Sequence, residues 1–130
     1  MIFDREAMKL FVQKTLGCGC PEEVFEHIDC QFNIKLNHEI ILRNKIKIGN
    51  RLLIYVLEVN NAGPIKSILP FLVAAGKTER DNLRFNRFRL VLVSDKSDEL
   101  KQAAESMFNT TNKDDKVHLH VVHKETLPIF

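Results

Sequence analysis

No apolar run in the 130 residues reaches the roughly 18 that a membrane-spanning helix needs. A membrane partner is therefore not expected. Cysteine is scarce, with three residues crowded between positions 18 and 30. A disulfide-stapled secreted fold would use more of them, spread more widely. Met1-Ile2-Phe3-Asp4-Arg5-Glu6 carries acidic residues and no long apolar core, so it does not read as a signal peptide. A cytoplasmic protein is expected, with thiols that are reduced or hold a metal. Charge of one sign is also lacking. The net charge of +2 is too small to argue for nucleic acid by itself. No repeat or linker interrupts the chain, so 1–130 reads as one α/β domain with a helical, cysteine-containing segment over 1–29.

The hydrophobic share is that of an ordinary globular protein, sufficient for a real core. Asp4 caps a helix expected to run to Thr15, with Ala7, Met8, Phe11 and Val12 as its apolar stripe and Gly17 as its stop. Pro21, followed by Glu22 and Glu23, opens a second short helix, with Val24, Phe25 and Ile28 facing inward. Cys30, Phe32, Ile34 and Leu36 alternate with polar residues as a half-buried strand. Asn37-His38 is a turn, 40–48 a second strand and Gly49-Asn50 a two-residue hairpin signal. The third strand, 52–59, is apolar on both faces and belongs in the sheet centre. A helix to Gly76, with Pro70 as a kink point, leads to a buried strand over 88–94. Ser97 is the expected N-cap of a helix presenting Leu100, Ala103, Ala104 and Met107 inward. A polar loop over 109–115 precedes a last strand over 117–122. The order is helix, helix, three strands, helix, strand, helix, strand. It predicts a three-layer α/β domain with a five-stranded mixed sheet and right-handed crossovers.

The most informative stretch is Leu52-Leu53-Ile54-Tyr55-Val56-Leu57-Glu58-Val59-Asn60, an apolar strand with one carboxylate at its end. With the element order, Glu58-Val59-Asn60, Arg89-Leu90-Val91-Leu92-Val93-Ser94 and Asp98-Glu99-Leu100-Lys101, it resembles the restriction-endonuclease-like nuclease superfamily over 30–122. That family's core is helix, three strands, helix, strand. Its motif is an Asp on the second strand and Asp/Glu-x-Lys at the end of the third. The resemblance implies Mg or Mn at Glu58. Two departures imply catalysis that is lost or altered. Asn60 replaces the motif lysine, and the second strand carries no Asp. In the tight hairpin register Ile41 lies opposite Glu58, with Arg43 next on that face. Asn44 then points to the other face unless a bulge intervenes. Glu39, opposite Asn60, is the nearby carboxylate able to form a pair with Glu58. Two-metal phosphodiester chemistry needs more than a lone glutamate.

Arg43, Lys45 and Lys47 alternate along the second strand and are expected to share the Glu58 face, with Lys35 and Arg51 nearby. Such a row can follow a phosphate backbone, or simply protect an exposed strand from edge pairing. Arg80, Arg84, Arg87 and Arg89, interleaved with Phe85 and Phe88, form a second basic cluster diluted by Glu79 and Asp81. Cys18 and Cys20 flank a glycine ahead of the second helix, where free N–H groups favour a thiolate. Cys20 is expected to be the most reactive thiol. With Cys30, and His27 as a fourth ligand, they can hold Zn or Fe. The competing reading is a turn with small buried thiols. His118 and His120 point to one face of the last strand, followed by His123. They suit either a metal or a polar sheet face.

Two functions of different class follow. The first is a nuclease-like domain without normal catalysis, binding nucleic acid or another protein and able to pair as a homodimer. The second is a thiol-dependent metal or redox protein centred on Cys18, Cys20 and Cys30. A small ligand at the strand ends, near 60–63 and 94–97, is a further expectation.

Overall fold

The structure, a computed structural model, describes residues 4–17, 22–60, 63–111 and 114–127. Helix α1 (Arg5–Leu10) starts where Asp4 Oδ1 accepts the N–H groups of Glu6 and Ala7, at 3.0 and 3.2 Å. It does not continue as an α-helix to Thr15. Phe11–Thr15 is a π-helical turn, closed by the Leu16 N–H on the Phe11 carbonyl at 3.1 Å. Gly17, at φ +69°, supplies the left-handed residue that ends it. A 3-10 turn (Glu22–Glu26) precedes the sheet.

Strands β1 (Ile28–Lys35), β2 (Ile41–Ile48) and β3 (Leu52–Glu58) form an antiparallel meander. Helix α2 (Ile65–Leu83) leads to β4 (Arg87–Ser94), and helix α3 (Ser97–Thr110) to β5 (Val117–His123), both new strands parallel to β3. The sheet order is β1-β2-β3-β4-β5, mixed and open, with β3 central. A short 3-10 turn (Lys124–Thr126) follows β5.

Both sheet faces are packed. On one, Leu69, Leu72 and Val73 of α2 and Leu100 and Ala104 of α3 cover Leu53, Tyr55, Leu57, Leu90 and Leu92. On the other, Met8, Phe11, Val12, Leu16 and Phe25 cover Ile46, Ile48, Ile54, Val56, Val91 and Val93. This explains why β3 is apolar along its whole length: each of Leu52 to Leu57 faces a packed layer.

Helix α2 runs seven residues past Gly76, its expected end, and passes Pro70. Gly76 is not a stop because its bare Cα lies against the Phe88 ring. The stop is Arg84, a left-handed residue at φ +60° whose N–H reaches the carbonyls of Arg80 and Asp81. Arg80 is 5 % exposed and forks onto Asp114 at 2.9 and 2.6 Å, tying α2 to the turn before β5. That guanidinium holds the Asp114 carboxyl at about 2, below the usual carboxylate range. Ser97 is the first helical residue of α3 rather than its cap. Ser94 Oγ instead accepts the Lys96 N–H at 3.0 Å, just ahead of the helix.

The hairpin register differs from the expected one. Gly49 and Asn50 are both left-handed, at φ +58° and +56°, as a two-residue turn requires. Yet Ile48 pairs with Leu52 and Asn44 with Val56, so Arg51 joins the loop. Its carbonyl is drawn sideways, accepting the N–H groups of Asn86 and Arg87 at 2.8 and 3.1 Å, while the Gly49 N–H donates to the His27 carbonyl. Ile41 is therefore not the residue across from Glu58. Asn44 falls into phase with Val56 and Glu58, on the face covered by α1.

Candidate functional site

Glu58 is the last residue of β3, where the ladder runs out and the carboxylate becomes 44 % exposed. One oxygen meets Arg43 Nε at 3.3 Å and the other Lys124 Nζ at 3.9 Å. Arg43 Nη1 donates to Asn44 Oδ1 at 3.2 Å. Asn44, fully buried, directs its amide toward Cys30 Sγ at 3.7 Å. The strand-end carboxylate is thus linked to cations and amides. Glu39 lies exposed in the β1–β2 connection, its N–H donating to Asn37 Oδ1 at 2.8 Å, and Asn60 is exposed beyond β3. Among the described residues no group of three His, Cys, Asp or Glu side chains could hold a metal ion.

The expected row of Arg43, Lys45 and Lys47 is divided. Arg43 reaches Glu58. Lys45 stands opposite Tyr55, on the α2 face, with its ammonium 3.0 Å from Glu79 Oε2 and 5.8 Å from the Tyr55 ring centroid. Lys47 is half-buried, opposite Asp29 and Leu53. Lys45 and Lys47 still share a face, but the extra loop residue turns it to the α2 side, opposite Tyr55 and Leu53 and out of phase with Glu58. Tyr55, 1 % exposed, donates its phenol hydrogen to Glu79, so this glutamate joins α2 to both β2 and β3.

Cys18, Cys20 and Pro21 lie outside the described residues. Cys30 is a free, half-buried thiol, and burial pushes its pKa up while the Asn44 amide works against the shift. We expect Cys30 to alkylate more slowly than an unstructured peptide thiol at mildly alkaline pH, because less of it is thiolate. Timed iodoacetamide labelling of a variant lacking Cys18 and Cys20 checks this; a rate equal to the peptide's would contradict the buried position.

The second basic cluster also separates. Arg80 is held by carboxylates, Arg84 caps α2, and Phe88 is fully buried. Arg87 and Arg89 face the α1 side of β4, beside His118 and His120 on β5, since Arg89 pairs with His118 and Val91 with His120. Arg87 Nη1 is 3.0 Å from His118 Nε2, and Arg89 Nη1 is 2.9 Å from His120 Nε2. Sequence reading found the arginines and the histidines separately. Each pair alternates within a strand, and only the parallel β4–β5 ladder brings the pairs together. Lys124, the second cation on Glu58, carried no signal at all.

Comparison with protein-family models, with curated proteins and with solved structures gives no match.

Proposed function

We propose that this chain is a non-catalytic binding domain built on a restriction-endonuclease-like core, and that it binds nucleic acid. The element order supports the architecture: a helix, a three-stranded meander, a helix and a parallel strand, with Glu58 at the end of the central strand. Asn44 is in phase with Glu58 on β2, where the resemblance implies an Asp, and Asn60 stands in place of the lysine.

The observation that carries the reading is the pairing of Glu58 with Arg43 and Lys124 rather than with a second carboxylate. A divalent cation needs hard anionic oxygens, and two nearby positive charges repel it. The same two cations outnumber the carboxylate and favour a phosphate backbone.

Cleavage and binding assays test both halves. DNA and RNA incubated with Mg or Mn are expected to remain intact. Glu58→Gln is expected to tighten binding of a fluorescent oligonucleotide at low salt by about two- to fivefold, the worth of about 0.5–1 kcal/mol for releasing surface cations from an ion pair. Cleavage that disappears in Glu58→Gln would establish a nuclease instead. Unchanged or weaker binding would remove nucleic acid from this end of the sheet.

A further inference from the structure

We propose that Arg87, Arg89, His118 and His120 form a binding site for a single phosphate-type oxyanion. The site does not depend on the Glu58 reading. Arg89 precedes Val93, the β4 partner of Glu58, by four residues, which is about 13 Å of strand.

The first support is an uncompensated charge. Arg89 is 7 % exposed, and none of the ion pairs of the described residues involves Arg89 or Arg87. Arg89 Nη1 donates to the Leu16 carbonyl at 2.8 Å and to His120, while its buried Nε has no hydrogen-bond partner. Taking a cation out of water without a counter-charge is costly. Here a second arginine adds like charge. Burial and then Arg87 lower the Arg89 pKa, and burial and then Arg89 lower those of His118 and His120. Asp115 acts in the opposite sense on His118 without reaching bonding distance of it. Burial is the larger cause in each case, and the neighbouring positive charge adds to it; an anion would relieve that second part.

The second support is the donor set. Each Nε2 accepts from an arginine, so each imidazole is neutral with its proton on Nδ1. Two Nδ1–H groups and the remaining N–H groups of Arg87 are left as donors. Both histidines are half-buried and lie on β5, an edge strand, which gives a ligand approach from solvent. Guanidinium with neutral N–H donors is the chemistry that recognises a phosphate oxygen cluster. In this arrangement Arg89 supplies charge from behind, while Arg87 and the imidazoles make contact.

The test is a titration of the protein with inorganic phosphate at constant ionic strength, following the imidazole C2–H resonances, with chloride as control. Saturable shifts of His118 and His120, with the His120 pKa rising from about 4, are expected. Arg87→Ala should weaken phosphate about tenfold, the usual scale for losing one charge-assisted hydrogen bond. His118→Gln serves as a second variant should Arg87→Ala fold poorly. Lys101→Ala, on the exposed side of α3 over the opposite sheet face, should bind phosphate normally. Equal, non-saturating responses to phosphate and chloride would overturn the site, as would wild-type affinity in both variants. Oligonucleotides with a 5′-phosphate or a 5′-hydroxyl then distinguish the source. A preference for the phosphorylated strand places a nucleic-acid end here, and no preference leaves free phosphate or a small phosphomonoester. Phosphate binding without oligonucleotide binding would sink the nucleic-acid reading and leave this site standing.

Discussion

Gly76→Ala is expected to destabilise the protein by about 2–3 kcal/mol, although alanine is the better helix former by about 1 kcal/mol. A Cβ on Gly76 would lie 2.1 Å from both Cε2 and Cζ of Phe88. The ring cannot easily move. Phe88 is fully buried and meets Tyr55 edge-on, with centroids 4.9 Å apart and planes at 77°. Helix α2 would have to lift from β4, exposing Leu72 and Val73. Urea unfolding gives the answer by its midpoint. Phe88→Leu, which removes the obstructing ring edge, should recover part of the loss when combined with Gly76→Ala. An increase in midpoint for Gly76→Ala alone would mean that α2 does not approach β4 this closely.

Replacing Glu79 by alanine should cost a similar amount, about 2–3 kcal/mol, for an electrostatic reason. Its carboxylate accepts the phenol hydrogen of Tyr55 and pairs with Lys45, whose side chain is 15 % exposed. Without it, a buried hydroxyl loses its acceptor and a largely buried ammonium its counter-charge. Lys45→Met should cost less, because Glu79 keeps the phenol. A double-mutant cycle of Tyr55→Phe with Glu79→Ala is expected to show clear coupling in the unfolding free energy, whereas additive losses would place the two side chains apart. Burial, then the Glu79 hydrogen bond, pushes the phenol far above its ordinary pKa. Folding thus favours protonated Tyr55. Its stabilising contribution is complete below the ordinary phenol range and declines as pH rises through and beyond it.

The element order was legible because each segment carried a strong local pattern. Asp4 marked a true cap, Gly17 a true stop, and the unbroken apolar run at 52–57 a central strand. What local pattern could not convey was set by tertiary neighbours. Gly76 looks like a helix stop in one dimension and is a contact point in three. The hairpin register turns on where the Arg51 carbonyl goes, and its partners Asn86 and Arg87 are remote in sequence. That one-residue change moved Asn44 onto the Glu58 face and Lys45 away from it, so most of the site geometry depended on a contact no period-two pattern encodes. Lys124 and the Arg–His pairs were hidden for the same reason.

The two faces of the sheet are clothed unequally. One carries α2 and α3, of 19 and 14 residues, and the other, among the described residues, carries the six-residue α1, its π-helical turn and a 3-10 turn, with Leu127 beside them. Short helical pieces have little cohesion of their own; Arg5 on the Glu26 carbonyl joins two of them, and the layer holds to the sheet by its apolar contacts and by Arg89 on the Leu16 carbonyl. Such a layer can peel away without breaking a single rung of the ladder, so its opening costs only a fraction of the global unfolding free energy. Any anion drawn to Arg89 would bind at the clasp of that layer, and so would help decide how often it opens.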